Sequence, residues 1–386
     1  MTLFRRLLII TFLESASTLL IERGIFFYTK EFLNFSDGQN LMLALAFATP
    51  YALGSLASHR ITASISEKKL IAIAIIGQSF FLGVVAYHPV MWTIFLAKAS
   101  MGAFTGIKWP PIESYVNAGL TPKKMATQLG KFNITWAFAV PLAVLAVGPL
   151  IAIWDRLLFI APIAIALFSL LALRPLQDRP THLPDDHPER PEGKQLHRIQ
   201  CLMRSSRWLL LLSYGLYFVI AALMPGIFKR FGYEITISTA LSSGMEIARF
   251  GIFLVLVRFT AWHNKAWPIA VACLLLPIGL ILMLTEINVI TVIAGELIFG
   301  LAMGMSYYAA LYYAMVAKNA TVAAGGEHEG LIGLAFIVGP LAGLLGNYLG
   351  AQWGHPSWGM LAGVCPLLLF CLMMSLRNLK GINASL

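Results

Sequence analysis

Long apolar runs separated by short polar stretches set the pattern of this chain. Twelve such runs occur, at roughly 7–29, 39–58, 69–87, 90–117, 128–152, 156–174, 208–228, 236–258, 266–284, 288–317, 329–350 and 357–376. A helix needs roughly 20 apolar residues to cross the hydrocarbon of a bilayer. The runs have that length, exceed a barrel strand and lack its period-two alternation, so the pattern predicts an all-α integral membrane protein with twelve transmembrane helices. One polar stretch stands apart. Residues 175–206 (PLQDRPTHLPDDHPERPEGKQLHRIQCLMRSS) are rich in proline and charge and poor in large apolar side chains, which reads as a linker. It divides the chain into an N-terminal six-helix bundle, 1–174, and a C-terminal six-helix bundle, 207–386.

Composition sharpens the class. Of 386 residues, 58% are hydrophobic and 12% charged, with a mean hydropathy of +0.76. The charged share is about half that of a soluble domain, which excludes a soluble enzyme, a disordered chain and a fibrous repeat. The net charge of +10, from 28 basic and 18 acidic residues, would raise nucleic acid as a partner in a soluble protein. Here topology accounts for it. With the N-terminus in the cytoplasm, twenty basic residues fall in inside segments and only Lys30, Arg156, Lys229 and Arg230 fall outside. The positive-inside asymmetry places both termini and the linker in the cytoplasm, as in a multi-pass protein of a bacterial inner membrane, with the lipid bilayer and not nucleic acid as its surroundings. The first run follows Arg5 and Arg6, contains Glu14 and closes at Glu22-Arg23, so it reads as an uncleaved first helix, not a signal peptide. Cys201, Cys273, Cys365 and Cys371 form no CxxC pair, so neither a disulfide framework nor a zinc site is expected, and no cofactor is implied. The chain has no GxxxxGK[ST] loop, no HExxH and no GxSxG, which speaks against an ATP-driven pump and against a membrane-embedded enzyme.

The two halves read as repeats. An offset of 199 residues superposes Lys30 on Lys229, Phe32 on Phe231 and Pro141 on Pro340. Six plus six helices, cytoplasmic termini and a charged central linker together resemble a transporter of the major facilitator superfamily over the full length. The resemblance implies two bundles related by a pseudo-two-fold, each built from inverted three-helix repeats, with helices 1, 4, 7 and 10 lining a substrate site near the midplane. Local motifs match in part. Gly54-Ser55-Leu56-Ala57-Ser58-His59-Arg60 keeps the glycine and an arginine of the family's loop after helix 2, with Ser58 where an aspartate is usual. Glu22-Arg23-Gly24-Ile25-Phe26-Phe27-Tyr28 is similar to a signature of proton-coupled peptide transporters but has Leu19 in place of its first glutamate. Gly339-Pro340-Leu341-Ala342-Gly343 resembles the GPxxG element of drug:proton antiporters, displaced from helix 5 to helix 11.

Ionisable residues inside spans cost about 2.5–3.5 kcal/mol each on insertion scales, so each needs a partner, a wet cavity or a function. Glu14, Thr18 and Glu22 recur at i, i+4 and i+8 on the first helix, with Arg23 beside them. Lys98 lies eight residues into the fourth helix, about 12 Å deep at 1.5 Å per residue. Glu296 lies at the same depth in the tenth, and the repeat offset brings it within one position of Lys98, which suggests a pair across the halves. Lys108 and Glu113 flank Pro110-Pro111, a tandem that breaks or kinks a helix, and Lys108 can also snorkel to the inner surface. Glu246 and Arg249 are spaced i, i+3 as an intrahelical pair. Glu327, His328 and Glu329 stand where the eleventh helix is expected to begin, and acids suit that position as caps. Tyr217 and Tyr307 head the aromatic candidates for a pocket wall, with Tyr214, Tyr308, Trp109 and Trp136. Gly300, Gly304, Gly339, Gly343, Gly346 and Gly350 offer faces for close helix contact.

The combined reading is a monomeric secondary transporter that moves a small organic solute by alternating access. The buried cations point to an anionic cargo, and the buried carboxylates to protons as coupling ion. The alternatives are a drug or metabolite efflux proton antiporter and, in another class, a non-transporting membrane sensor or assembly protein.

Overall fold

The computed structural model describes residues 3–117, 119–120, 122–180, 193–317 and 322–383, and every regular element within them is helical. The first half comprises α1 (Leu3–Phe32), α2 (Asp37–Ser64), α3 (Glu67–Tyr87), α4 (Met91–Asn117), α5 (Pro122–Ile153) and α6 (Leu157–Leu173). The second comprises α7 (Gly193–Arg230), α8 (Ile235–Leu241), α9 (Gly244–Arg258), α10 (Trp267–Leu284), α11 (Val289–Ala317), α12 (Val322–Trp353) and α13 (Pro356–Asn383). The pieces α8 and α9 are one span broken at Ser242-Ser243, so the chain has twelve spans. Among the described residues, nine spans are long and apolar enough to cross a membrane by length and composition. The long helices α1 and α4 fall short of that standard, and both carry buried charges along their length.

Local chemistry explains several boundaries. Ser36 and Gln39 form a reciprocal capping box at the start of α2, with bonds of 3.2 and 2.8 Å. Ser66 caps α3. Three expectations need correction. The linker is shorter than 175–206, because α7 begins at Gly193. Ile199, Leu202, Met203 and Ser206 recur on one buried face and extend the helix through the polar composition. The middle of the linker, 181–192, lies outside the described residues. The tandem Pro110-Pro111 does not break α4, which runs on to Asn117. Finally, α12 begins at Val322, seven residues before the expected start, so His328 and Glu329 sit inside the helix and are buried.

Large apolar side chains such as Leu53, Phe80, Leu274, Ile290 and Trp358 face outward, as in a protein solvated by lipid. Within the first half α2 packs on α4 and α1 on α5 and α6. Within the second, α7 packs on α11, α12 and α13. The halves meet where α12 lies against α2 and α4, and where α5 lies against α8 and α9. The glycine faces serve these contacts. Gly300 and Gly304 meet α9, Gly339 and Gly343 meet α7, and Gly346 and Gly350 meet α13.

Candidate functional site

All nine ionisable residues singled out inside the spans, Glu113 among them, are buried, none more than 7% exposed. Seven of them divide into three groups, while Glu22 lines the cavity and Glu113 lies beside His328 and Glu329. The first lies inside the N-terminal half. Lys108 Nζ on α4 pairs with Glu14 Oε2 on α1 at 2.6 Å and also donates to Gln78 Oε1 at 2.9 Å and Thr18 Oγ1 at 3.4 Å. Gln78 in turn donates to Thr105. Lys108 therefore does not snorkel outward: an acid four residues from Thr18 on the facing helix holds it in the core.

The second group joins the halves. Glu246 on α9 pairs with Arg249 one turn on, as its spacing suggested, and with Arg23 Nη1 of α1 at 3.7 Å. Arg23 also donates to the Ser242 carbonyl at 3.4 Å and to its hydroxyl at 3.3 Å, at the break between α8 and α9. One glutamate of the second half thus stands between two guanidinium groups, one from each half. Arg23 lies 5.2 Å and Arg249 5.8 Å from the Tyr217 ring, and Arg249 lies 4.7 Å from the Trp136 ring of the opposite half. Cation–π contacts of this kind are worth about 2 kcal/mol when desolvated.

The third group departs from expectation. Lys98 and Glu296 do not pair. Lys98 Nζ donates to the Glu22 backbone carbonyl at 3.1 Å and lies 4.8 and 5.0 Å from the rings of Phe26 and Phe47. It is held within its own half by α1 and α2. The Glu296 carboxylate lies against Gly244, where a β-carbon would come within 2.6 Å of Oε2. Gly244 is the first residue of α9, so the carboxylate sits at a helix N-terminus, where partial positive charge favours it. Matching depth and repeat position made a pair plausible, but the facing α1 and α9 supply each charge with a nearer environment.

The groups surround a central cavity of about 90 Å³. Its wall takes Ser15, Thr18 and Glu22 from α1 and Arg249 from α9. The rest is mainly aromatic: Trp109, Trp136, Tyr214, Tyr217, Tyr307 and Phe336. Tyr307 connects several of them, edge-on to Trp136 at 4.9 Å and stacked on Tyr214 at 5.7 Å. Drug-sized ligands occupy pockets of about 300–1,000 Å³, so this cavity is too small for such a solute. The two halves also meet on both sides of it. Towards the linker, the Tyr51 hydroxyl of α2 donates to Glu329 Oε2 of α12. Towards the other end, Lys229 meets Glu31 and Arg230 meets Asp37, each at 3.3 Å.

Sequence reasoning did not single out Tyr51, and it named Glu113, His328 and Glu329 without bringing them together. His328 and Glu329 read as caps because Lys318, Asn319 and Thr321 suggest a polar loop before them. The small residues Ala323-Ala324-Gly325-Gly326 carried the contrary signal, because they suit close helix contact better than a loop.

No curated protein matches the chain by sequence. Its fold is similar to the nucleoside transporter NupG, with TM-score 0.68 and 13% identity over all of both chains. It is also similar to the human organic anion transporter MFSD10, with TM-score 0.63 and 15% identity over 97% of this chain and 100% of that one. The Escherichia coli fucose:proton symporter FucP gives TM-score 0.63 and 12% identity, over 97% of this chain and 98% of that one. Residues 7–327 match the Major Facilitator Superfamily. Twelve spans in two halves around a charged central cavity agree with that match, and the chain belongs to this superfamily of membrane transporters, which are not enzymes.

Proposed function

We propose that the protein is a proton-coupled secondary transporter for a small organic solute with a flat apolar face and an acidic group. The observation that carries this reading is the position of Glu246 between Arg23 and Arg249. Arg249 also lines the cavity, so a solute carboxylate entering there competes with Glu246 for the same guanidinium. A proton on Glu246 removes its charge and frees both arginines, one from each half. Proton, solute and the contact between halves thereby depend on one another. The aromatic wall suits stacking of a planar group, and Glu22 on the same wall offers a second carboxylate for protonation. In the membrane, the bundles 1–174 and 207–386 move against each other in a monomer. The charge asymmetry supports placing both termini in the cytoplasm and the protein in a bacterial inner membrane.

The test begins with thermal shift of purified protein against aromatic carboxylates, nucleosides and sugars, since a specific binder stabilises the native state by mass action. The expected binder is a carboxylate. Its uptake into proteoliposomes is then measured with and without an imposed pH gradient. The gradient changes wild-type flux severalfold, and Glu246→Gln abolishes that response while still binding the solute. Equal flux with and without the gradient excludes proton coupling, and a neutral sugar as the only binder excludes the anionic cargo.

A further inference from the structure

A second cluster adjoins the cavity on its linker side and takes no part in the mechanism above. Glu113 of α4 and His328 and Glu329 of α12 are all buried, and one ligand atom from each lies within 4.8 Å of the other two. His328 is the informative member. It is fully buried, and neither ring nitrogen has a hydrogen-bond partner. Its nearest aromatic neighbour, Tyr307, meets the ring edge-on at 5.3 Å and leaves the nitrogens free to face the carboxylates. A buried imidazole with no partner forfeits about 1–3 kcal/mol per unsatisfied group, so its placement beside two acids calls for something between them. The four buried Lys and Arg side chains do not fill this role, because each is engaged with α1, α9 or the Glu14 group.

We propose that Glu113, His328 and Glu329 form a site for a divalent first-row metal ion of the Mn²⁺–Zn²⁺ class. One imidazole nitrogen and two carboxylates are a donor set such ions accept. Glu113 and Glu329 hydrogen-bond to each other, an arrangement that shares one proton, and a divalent ion would take that proton's place with a double charge that balances both carboxylates. The Tyr51 hydroxyl bonds Glu329 Oε2 and orients that carboxylate from outside the donor set, as outer-shell partners of metal ligands do. Gly325 lies beside Glu113, where a β-carbon would stand 3.0 Å from Oε2, so the carboxylate has room to turn. Ligand bonds of about 2.1 Å require the donor atoms to approach to roughly 3 Å, a contraction that side-chain rotation supplies. Because Glu113 belongs to one half and His328 and Glu329 to the other, the ion would clamp the halves together on the linker side.

Equilibrium binding of Mn²⁺ to the chelator-stripped, full-length protein in detergent tests the proposal. Mn²⁺ is the probe because thiols bind it poorly, which keeps Cys201 and its neighbour His197, 3.6 Å apart, out of the measurement. The expected result is one ion per chain, with affinity lowered more than tenfold in His328→Asn and in Glu113→Gln. Failure of the wild type to bind at millimolar Mn²⁺ overturns the site, as does unchanged affinity in a folded His328→Asn protein. Should both variants misfold, pulsed EPR of wild-type protein with Mn²⁺ decides: coupling to one imidazole nitrogen is expected, and its absence refutes the assignment. None of these readouts depends on the organic solute or on proton coupling.

Discussion

Lys108 and Glu14 carry opposite charges to a place where neither meets water. Their attraction offsets two desolvation penalties only while both are present, because removing one partner leaves the other charged and buried. Lys108→Ala is therefore expected to destabilise the protein by about 3–5 kcal/mol, visible as a lower melting temperature in detergent. Glu14→Leu combined with Lys108→Met removes both charges and is expected to recover most or all of the loss. If the double variant is no more stable than Lys108→Ala, the pair does not act as a unit. Lys98 differs in kind. It contacts a carbonyl and two aromatic rings in place of an ion-paired oxygen, with the Glu22 carboxylate as its nearby acid.

At the scale of elements, close helix contact decides which substitutions the fold tolerates. Gly339 on α12 lies against Gly215 on α7, and a β-carbon at 339 would strike the Gly215 carbonyl. Gly339→Ala is expected to cost about 1–3 kcal/mol through backbone displacement. Gly83→Ala on α3 is the control, since nothing lies within 4 Å of a β-carbon there. That change should leave melting unaltered or raise it, by up to about 1 kcal/mol from helix propensity. Equal effects at the two positions would refute the packing argument. The spans themselves were legible from hydropathy because burial in lipid demands nearly continuous apolar residues. The pairing of charges was legible only where partners share a helix, as with Glu246 and Arg249. Partners on different helices, such as Lys108 with Glu14 or Tyr51 with Glu329, depend on helix rotation and distance, which a single chain's periodicity does not encode. The early start of α12 was hidden because Lys318, Asn319 and Thr321 outweighed the small residues that follow them.

At the scale of the whole molecule, a cavity of about 90 Å³ with the halves in contact on both sides of it fits one stage of a cycle in which the halves part on one side at a time. Each contact then has to break during transport. On the linker side, a β-carbon at Gly326 would lie 3.6 Å from Ser58 Oγ, across the contact between α12 and α2. On the other side, Gly148 of α5 lies against Thr239 of α8. In a background with the four native cysteines replaced by serine, the pairs Ser58→Cys with Gly326→Cys and Gly148→Cys with Thr239→Cys bring sulfurs within reach of a disulfide, at the cost of a small helix displacement, because the new β-carbons would also lie 2.9 Å from the Ser55 carbonyl and 2.6 Å from Thr236 Cα. Oxidation of either pair is expected to reduce flux more than tenfold, and reduction to restore it. The two cross-links should also act in opposite senses on access. Locking the linker side should leave the cavity reachable by a thiol reagent from the other side, after introduction of a cysteine at Thr18, and the second lock should reverse that. If flux persists through a fully formed cross-link at either end, the two halves do not need to separate there and alternating access by rocking fails. If both locks stop flux without changing which side reaches Thr18→Cys, this cavity is a resting arrangement and not a point on the transport path.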